Sequence, residues 1–100
     1  MSFDITSNAQ DDSVTLKLSG RFDYEAHDSF VASYSDKLGF TKYIVDMKAT
    51  DYLDSSALGM LLLLKDFAES NSAKVSLTQV NDDVRKILEI ASFDQIFSID

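Results

Sequence analysis

The stretch Asp54-Ser55-Ser56-Ala57-Leu58-Gly59 carries the chain's strongest candidate for chemistry. A strand and loop give way to a helix here, which places Ser55 at or next to the helix start. The backbone N–H groups of a first helical turn have no partners inside the helix, and the helix dipole is positive there. A phosphate on Ser55 would meet those groups favourably. The residues support two readings, an ordinary N-cap and a phosphorylation switch.

Other chemistry is thin. His27 is the single histidine, and it falls on a helical stripe with Phe30, Val31 and Tyr34, which favours a half-buried structural role. With no cysteine, disulfides, thiolate chemistry and Cys/His metal sites are excluded. Three glycines in all leave no Gly-rich phosphate loop. Asp46, Asp51 and Asp54 read as acids near strand ends on one side of a sheet, with Asp23 joining them. Such a cluster can hold a hard cation, but acids at these places more often cap turns and helices. No nucleophile has a base in a recognisable context. The expectation is therefore no catalytic residue, no metal and no cofactor. A nucleotide binder using Asp23, Asp54 and Ser55 ranks low, because no Gly-rich loop lies near them in sequence.

The elements that must position Ser55 follow from periodicity. Phe3 and Ile5 alternate with polar neighbours and predict a first strand. Val14, Leu16 and Leu18 alternate with Thr15, Lys17 and Ser19 and predict a second, which Gly20 breaks. Asp23 is expected to cap a helix reaching about Leu38, with Gly39 as its stop. Tyr43-Ile44-Val45 reads as a strand buried on both faces. A second helix is expected over 55–70, a further strand at Val75-Ser76-Leu77, and a third helix capped by Asn81 with Val84, Ile87, Leu88 and Ala91 on one stripe. Phe93, Ile96, Phe97 and Ile99 close the chain as a last short strand. This alternation predicts an α/β domain with a mixed sheet, its first strand pair antiparallel across the short loop 8–12 and its later strands parallel, with about three helices packed on it.

The second helix has an informative wheel. At about 100° per residue, Ala57, Met60, Leu61, Leu64, Phe67 and Ala68 form a core-facing arc. Ser55, Lys65, Asp66, Glu69 and Ser70 mark the opposite arc, and Leu58 and Leu62 fall inside it. Leucines there should be wet, and exposed apolar residues close together mark interaction sites. Coverage by another chain segment is the competing reading. Ser56 falls nearer the buried side.

The whole chain of 100 residues is expected to form one domain. A net charge of −8, from seventeen acids against nine bases, repels nucleic acid and anionic lipid and favours a basic protein partner. No apolar span approaches the length of about twenty residues that a membrane helix needs. The start, Met1-Ser2-Phe3-Asp4-Ile5, does not read as a secretory signal, so cytoplasmic residence is expected.

Taken together, the order of elements and three motifs resemble the STAS domain, specifically the single-domain anti-sigma factor antagonists of bacterial partner-switching systems. Leu18-Ser19-Gly20-Arg21-Phe22-Asp23 resembles that family's strand ending in Gly-x-hydrophobic-Asp. Tyr43-Ile44-Val45-Asp46 followed by Tyr52-Leu53-Asp54-Ser55-Ser56-Ala57-Leu58-Gly59 is similar to its central strand and switch motif. The third is the late helix Asn81-Asp82-Asp83-Val84-Arg85-Lys86-Ile87-Leu88 and the short apolar tail. The resemblance implies phosphorylation at Ser55 by a serine kinase, which can be the anti-sigma factor itself, and reversal by a metal-dependent serine phosphatase. It implies that the unphosphorylated form binds the anti-sigma factor and frees the sigma factor, through Asp23, Asp54, Ser56, Leu58 and Leu62. An alternative within the same fold is an accessory subunit of a larger complex, such as a lipid transporter or a stressosome-like assembly, with Ser55 only a helix cap. Ala57 stands where the family often has Gly, and the chain ends right after its last strand where many members continue into a helix. That departure is expected to leave the far edge of the core more exposed.

Overall fold

In a computed structural model that describes residues 2–100, β1 (Ser2–Asn8) and β2 (Ser13–Phe22) form the expected hairpin. Their register pairs Phe3 with Leu18 and Ile5 with Leu16, which keeps the apolar residues of both strands on one face. Gly20 does not break β2 as expected. The strand passes through it at φ 94 and ends at Phe22, which is fully buried. A positive φ of that kind is open to glycine at no steric cost, so the backbone bends there without losing its pairing.

The central strand β3 (Lys42–Leu53) is much longer than Tyr43-Ile44-Val45. It pairs in parallel with β2, and the register slips between Lys17 and Ser19 and again between Gly20 and Arg21. Each slip inserts one extra residue into β3, the signature of a bulge. Burial along β3 therefore falls on Tyr43, Val45 and Met47, then on Thr50, then on Leu53. A period of two that changes to three is invisible to an alternation test. Nor is β3 buried on both faces, since Ile44 and Asp46 are only half-buried. The buried residues of all the helices join one core cluster with Tyr43, Val45 and Met47, so the opposite sheet face is left uncovered. Beyond β3 lie β4 (Lys74–Thr78), paired in parallel through Val45 and Leu77, and the two-residue strand β5 (Ser98–Ile99). The strand order is β1-β2-β3-β4-β5.

Three α-helices cover the buried face: α1 (His27–Tyr34), α2 (Ser55–Ser70) and α3 (Asp82–Ile90). Asp23 caps a single 3₁₀ turn, Tyr24–Ala26, that leads into α1. Helix α1 stops four residues before Leu38, which is exposed, and Gly39 at φ 87 turns the chain into β3 instead of ending a helix. Aromatic packing accounts for the early stop. Phe30 lies 5.0 Å from Phe22 and 5.5 Å from Tyr34, and Tyr34 lies 5.0 Å from Phe67. The Tyr43 hydroxyl donates to the Lys37 carbonyl and holds the departing segment over β3. Burial pushes the Tyr34 and Tyr43 phenols above their usual range. His27 keeps the structural place expected of it, half-buried with Nδ1 3.2 Å from the Asp28 carboxylate. Among the described residues no helix is long and apolar enough to cross a membrane.

Helix α3 begins as expected at Asn81, whose Oδ1 accepts from the Val84 N–H at 2.8 Å. Its Nδ2 donates to the Thr50 carbonyl at 3.0 Å, so one amide side chain both starts α3 and ties it to the bulged part of β3. Phe93 begins a second 3₁₀ turn, Phe93–Gln95, and packs 5.3 Å from Phe97 ahead of β5. Asn81→Ala should lose about 2 kcal/mol in urea denaturation, a cap plus an unpaired carbonyl. Asn81→Asp should keep the cap and lose the bond to Thr50, giving an intermediate loss. Wild-type stability for Asn81→Asp would show that the link to β3 adds nothing.

Candidate functional site

The pairing of β2 with β3 builds the site. Phe22 and Leu53 are register partners, and the Asp54 N–H donates to the Phe22 carbonyl at 3.3 Å. Asp23 and Asp54 therefore leave the sheet as neighbours at the C-terminal ends of adjacent parallel strands. Each turns its carboxylate onto the turn that follows it. Asp23 Oδ1 accepts from the Glu25 N–H at 3.1 Å, and Asp54 Oδ1 accepts from the Ala57 N–H at 3.0 Å.

Asp54 is thus the N-cap of α2, with extended φ −111 and ψ −174, and the expectation that Ser55 caps the helix is wrong. Asp and Ser are equally good caps, so sequence alone could not choose between neighbours. Ser55 is the first helical residue and is exposed. Its side chain makes no hydrogen bond among the described residues. Asp54 also takes the Leu58 N–H through its carbonyl at 3.2 Å. That leaves the N–H groups of Ser55 and Ser56 as the free donors of the first turn among the described residues.

The faces of α2 follow the wheel with one exception. Ala57, Met60, Leu61, Leu64 and Ala68 are buried, and Phe67 is half-buried against Tyr34 and Tyr43. Leu62 is 39% exposed, as expected of the polar arc. Leu58, expected to be wet, is half-buried and packs on the core, because it sits on the flank of the arc. Leu63, which the wheel assigned to neither arc, is 45% exposed. Ser56 is half-buried, as its position implied. The apolar surface near Ser55 is therefore Leu62 and Leu63, with Leu58 as its inner margin.

Gly59 closes the Asp54–Gly59 motif, although no role was read for it. It lies one turn beyond Ser55 on the exposed face, and a Cβ built there meets nothing within 4 Å. Glycine inside a helix costs about 0.5–1 kcal/mol relative to alanine. The fold does not require that cost. It leaves a bare strip of backbone between Ser55 and Leu62, open to close approach.

The rim also carries a cation that the sequence reading assigned no role. Arg21 is the register partner of Tyr52, lies 4.4 Å over its ring, and approaches the Asp23 carboxylate at 3.6 Å. Tyr24 and Tyr52 are exposed beside it. The acids do not gather as expected. Asp46 sits in mid-strand, paired with Lys17 and Thr78, and its carboxylate accepts from the Lys48 N–H at 3.0 Å. Among the described residues no three His, Asp or Glu side chains are placed to share a metal ion. Asp54→Ala should cost about 1 kcal/mol of stability. Ser55→Ala should stay within about half a kcal/mol of wild type. Equal losses in thermal melts would return the cap to Ser55.

Comparison with known proteins places this geometry. A family model described as STAS domain matches residues 4–100. A STAS-domain containing protein of Pseudomonas aeruginosa is 45% identical over 94 residues, covering 92% of each chain. A Thermotoga maritima protein of solved structure superposes with a TM-score of 0.86 at 22% identity, over 97% of this chain and 84% of that one. SpoIIAA, an anti-sigma factor antagonist, superposes in its unphosphorylated form with a TM-score of 0.71 at 19% identity, over 95% and 97% of the two chains. Its phosphorylated form, from Bacillus, superposes with a TM-score of 0.74 at 19% identity, over 99% and 91%.

Proposed function

Because this chain belongs to the STAS domain family, we propose that it is an anti-sigma factor antagonist whose binding is switched off by phosphorylation of Ser55. In this reading the unphosphorylated protein binds an anti-sigma factor and releases the sigma factor in the bacterial cytoplasm. A serine kinase, which can be the anti-sigma factor itself, modifies Ser55, and a metal-dependent serine phosphatase restores it. The protein acts by binding and not by catalysis, and its docking face comprises Asp23, Asp54, Ser56, Leu58 and Leu62. Leu63 and Gly59 join that face on the strength of their exposure.

The observation that carries the proposal is the place of Ser55. It is exposed, it follows the capping residue, and it borders an apolar strip. Phosphate adds about −1.5 to −2 charge. At the first helical position it meets the free N–H groups of Ser55 and Ser56, so α2 survives modification. A partner covering Leu62 must desolvate that charge, which costs several kcal/mol without a basic mate. A loss of about 4 kcal/mol weakens binding roughly a thousandfold. Charge and desolvation at the contact therefore suffice, with no shape change in the domain.

A second reading keeps the STAS fold and makes the chain a permanent subunit of a larger assembly. It explained Ser55 as a cap, a role that Asp54 fills. The two readings part on whether Ser55 is modified in cells.

The first test is peptide mapping after incubation with Mg-ATP and the cognate kinase. One phosphate is expected, on Ser55, and its placement on Ser56 would sink the proposal. The second compares binding by titration calorimetry. Ser55→Asp and Leu62→Ala should each weaken the anti-sigma factor complex by tenfold or more while melting like wild type. Gly59→Ala should raise stability by about 0.5–1 kcal/mol and still weaken binding. A Gly59→Ala protein that binds as tightly as wild type would remove the glycine strip from the interface.

A further inference from the structure

The sheet face opposite the helices has no covering element among the described residues. Strands β2 to β5 run parallel, and parallel sheets are as a rule covered on both faces. Alternation assigns the residues of the bare face. Tyr43, Val45 and Leu77 point into the core, so Lys42, Ile44 and Asp46 of β3 and Lys74, Ser76 and Thr78 of β4 point away from it. The register of β3 with both neighbours is unbroken over this stretch. Three rows therefore cross the sheet. The lower holds Lys42 and Lys74, the middle Thr15, Ile44 and Ser76, and the upper Lys17, Asp46 and Thr78.

The charge of this face differs from that of the chain. Lys17, Lys42, Lys48 and Lys74, four of nine bases, lie on it with Asp4, Asp46 and, past the end of β5, Asp100, three of seventeen acids. None of these lysines makes an ion pair among the described residues. A second copy of a chain of charge −8 meets little of its own repulsion here. The order of residues along β3 is also self-complementary. A two-fold axis through Ile44, crossing the strands between two stacked sheets, sets Lys42 opposite the partner's Asp46 and Asp46 opposite the partner's Lys42. Ile44 meets its own copy at the axis, and Lys74 falls over the partner's Thr78. A two-fold interface buries the same patch on both copies, so the favourable pair is made twice. An axis along the strands would instead set Lys42 against Lys42 and Asp46 against Asp46, which like-charge repulsion disfavours.

We propose that the chain forms a weak two-fold dimer in which the bare sheet face stacks on that of a second copy, through Ile44 and reciprocal Lys42–Asp46 pairs. The face runs about 20 Å along the strands from Lys42 to Lys48 and about 19 Å across five strands, roughly 400 Å² per copy. That is about half of a standard interface, so the association is reversible and not obligate. Helix α2 packs on the other side of the sheet. The dimer therefore leaves the Ser55 face open and stands whether or not the switch proposal does.

The test is the oligomeric state of the 100-residue chain. Sedimentation velocity from about 10 μM to about 1 mM should show a monomer–dimer equilibrium with Kd on the order of 0.1 mM. Concentration-dependent amide shifts should centre on Thr15, Ile44 and Ser76. Lys42→Glu and Asp46→Lys each set like charges across the axis and should weaken pairing by about tenfold or more while melting like wild type. An equimolar mixture of the two variants should dimerise again, because both contacts are then between opposite charges. The double variant Lys42→Glu/Asp46→Lys should dimerise by itself for the same reason. Ile44→Lys puts two cations on the axis and should be monomeric, a check that leaves the Asp46 bond to the Lys48 N–H intact. A wild type that stays monomeric at the highest concentration would overturn the proposal, as would single variants that pair like wild type or a mixture that stays monomeric. Shifts centred on β1, or on Leu62 and Leu63, would overturn it as well, because the dimer would then use another surface.

Discussion

The parallel pairing of β2 with β3 is the constraint on which the candidate site depends. It runs from Ser13 and Lys42 to Phe22 and Leu53, with β3 taking up two extra residues along the way. Those insertions decide which residue of β3 reaches the top of the sheet beside Phe22. The bond from the Asp54 N–H to the Phe22 carbonyl then fixes where α2 can start. Asp23, Arg21, Tyr52 and Ser55 come together because two strands end at the same height, although more than thirty positions separate the outermost of them. A deletion at either bulge would flip the last residues of β3 and turn Leu53 away from the core.

The start of α2 separates two duties that proximity in sequence blurs. Asp54 holds the helix through its side chain and its carbonyl, at 3.0 and 3.2 Å. Ser55 contributes no side-chain bond and faces solvent. Modification of a capping serine would exchange one structural contact for another and carry a cost in the fold itself. Modification of a residue just inside the cap changes the surface alone. The neighbouring Asp54 carboxylate adds repulsion, but it already points at Ala57 and leaves the Ser55 and Ser56 N–H groups available to an anion.

Much of this was legible in the residues. Regular alternation disclosed β1 and the first half of β2, and the wheel of α2 disclosed its buried arc and Leu62. Asn81 disclosed α3. Most of the failures share a cause, in that they depended on a partner remote in sequence. The reading of β3 stopped at Val45 because it took Tyr43-Ile44-Val45 as a run buried on both faces, and beyond Met47 two bulges, registered against β2, change the period to three. Helix α1 was drawn too long because the aromatic contacts from Phe30 to Tyr34 to Phe67 and the bond from Tyr43 to Lys37 lie across the core from it. Arg21 was passed over although it stands two residues before Asp23, because its stacking on Tyr52 arises through the sheet. Leu58 was misplaced, and Leu63 went unassigned, because both sit near the edge of the arc, where tertiary packing and not helix geometry decides exposure. Asp54 and Ser55 could not be told apart as caps, being adjacent and chemically equivalent for that task.

The division between Asp54 and Ser55 has an evolutionary corollary. Because the fold does not rest on the Ser55 hydroxyl, a descendant that replaces it with alanine inherits an intact helix and an intact apolar strip. On the proposed switch, regulation and architecture mutate on separate schedules. A lineage that uses Ser55 in this way can shed control in a single step without passing through an unstable ancestor, and can regain it by the reverse step. Asp54 has no such liberty, since any change there is tested first by folding.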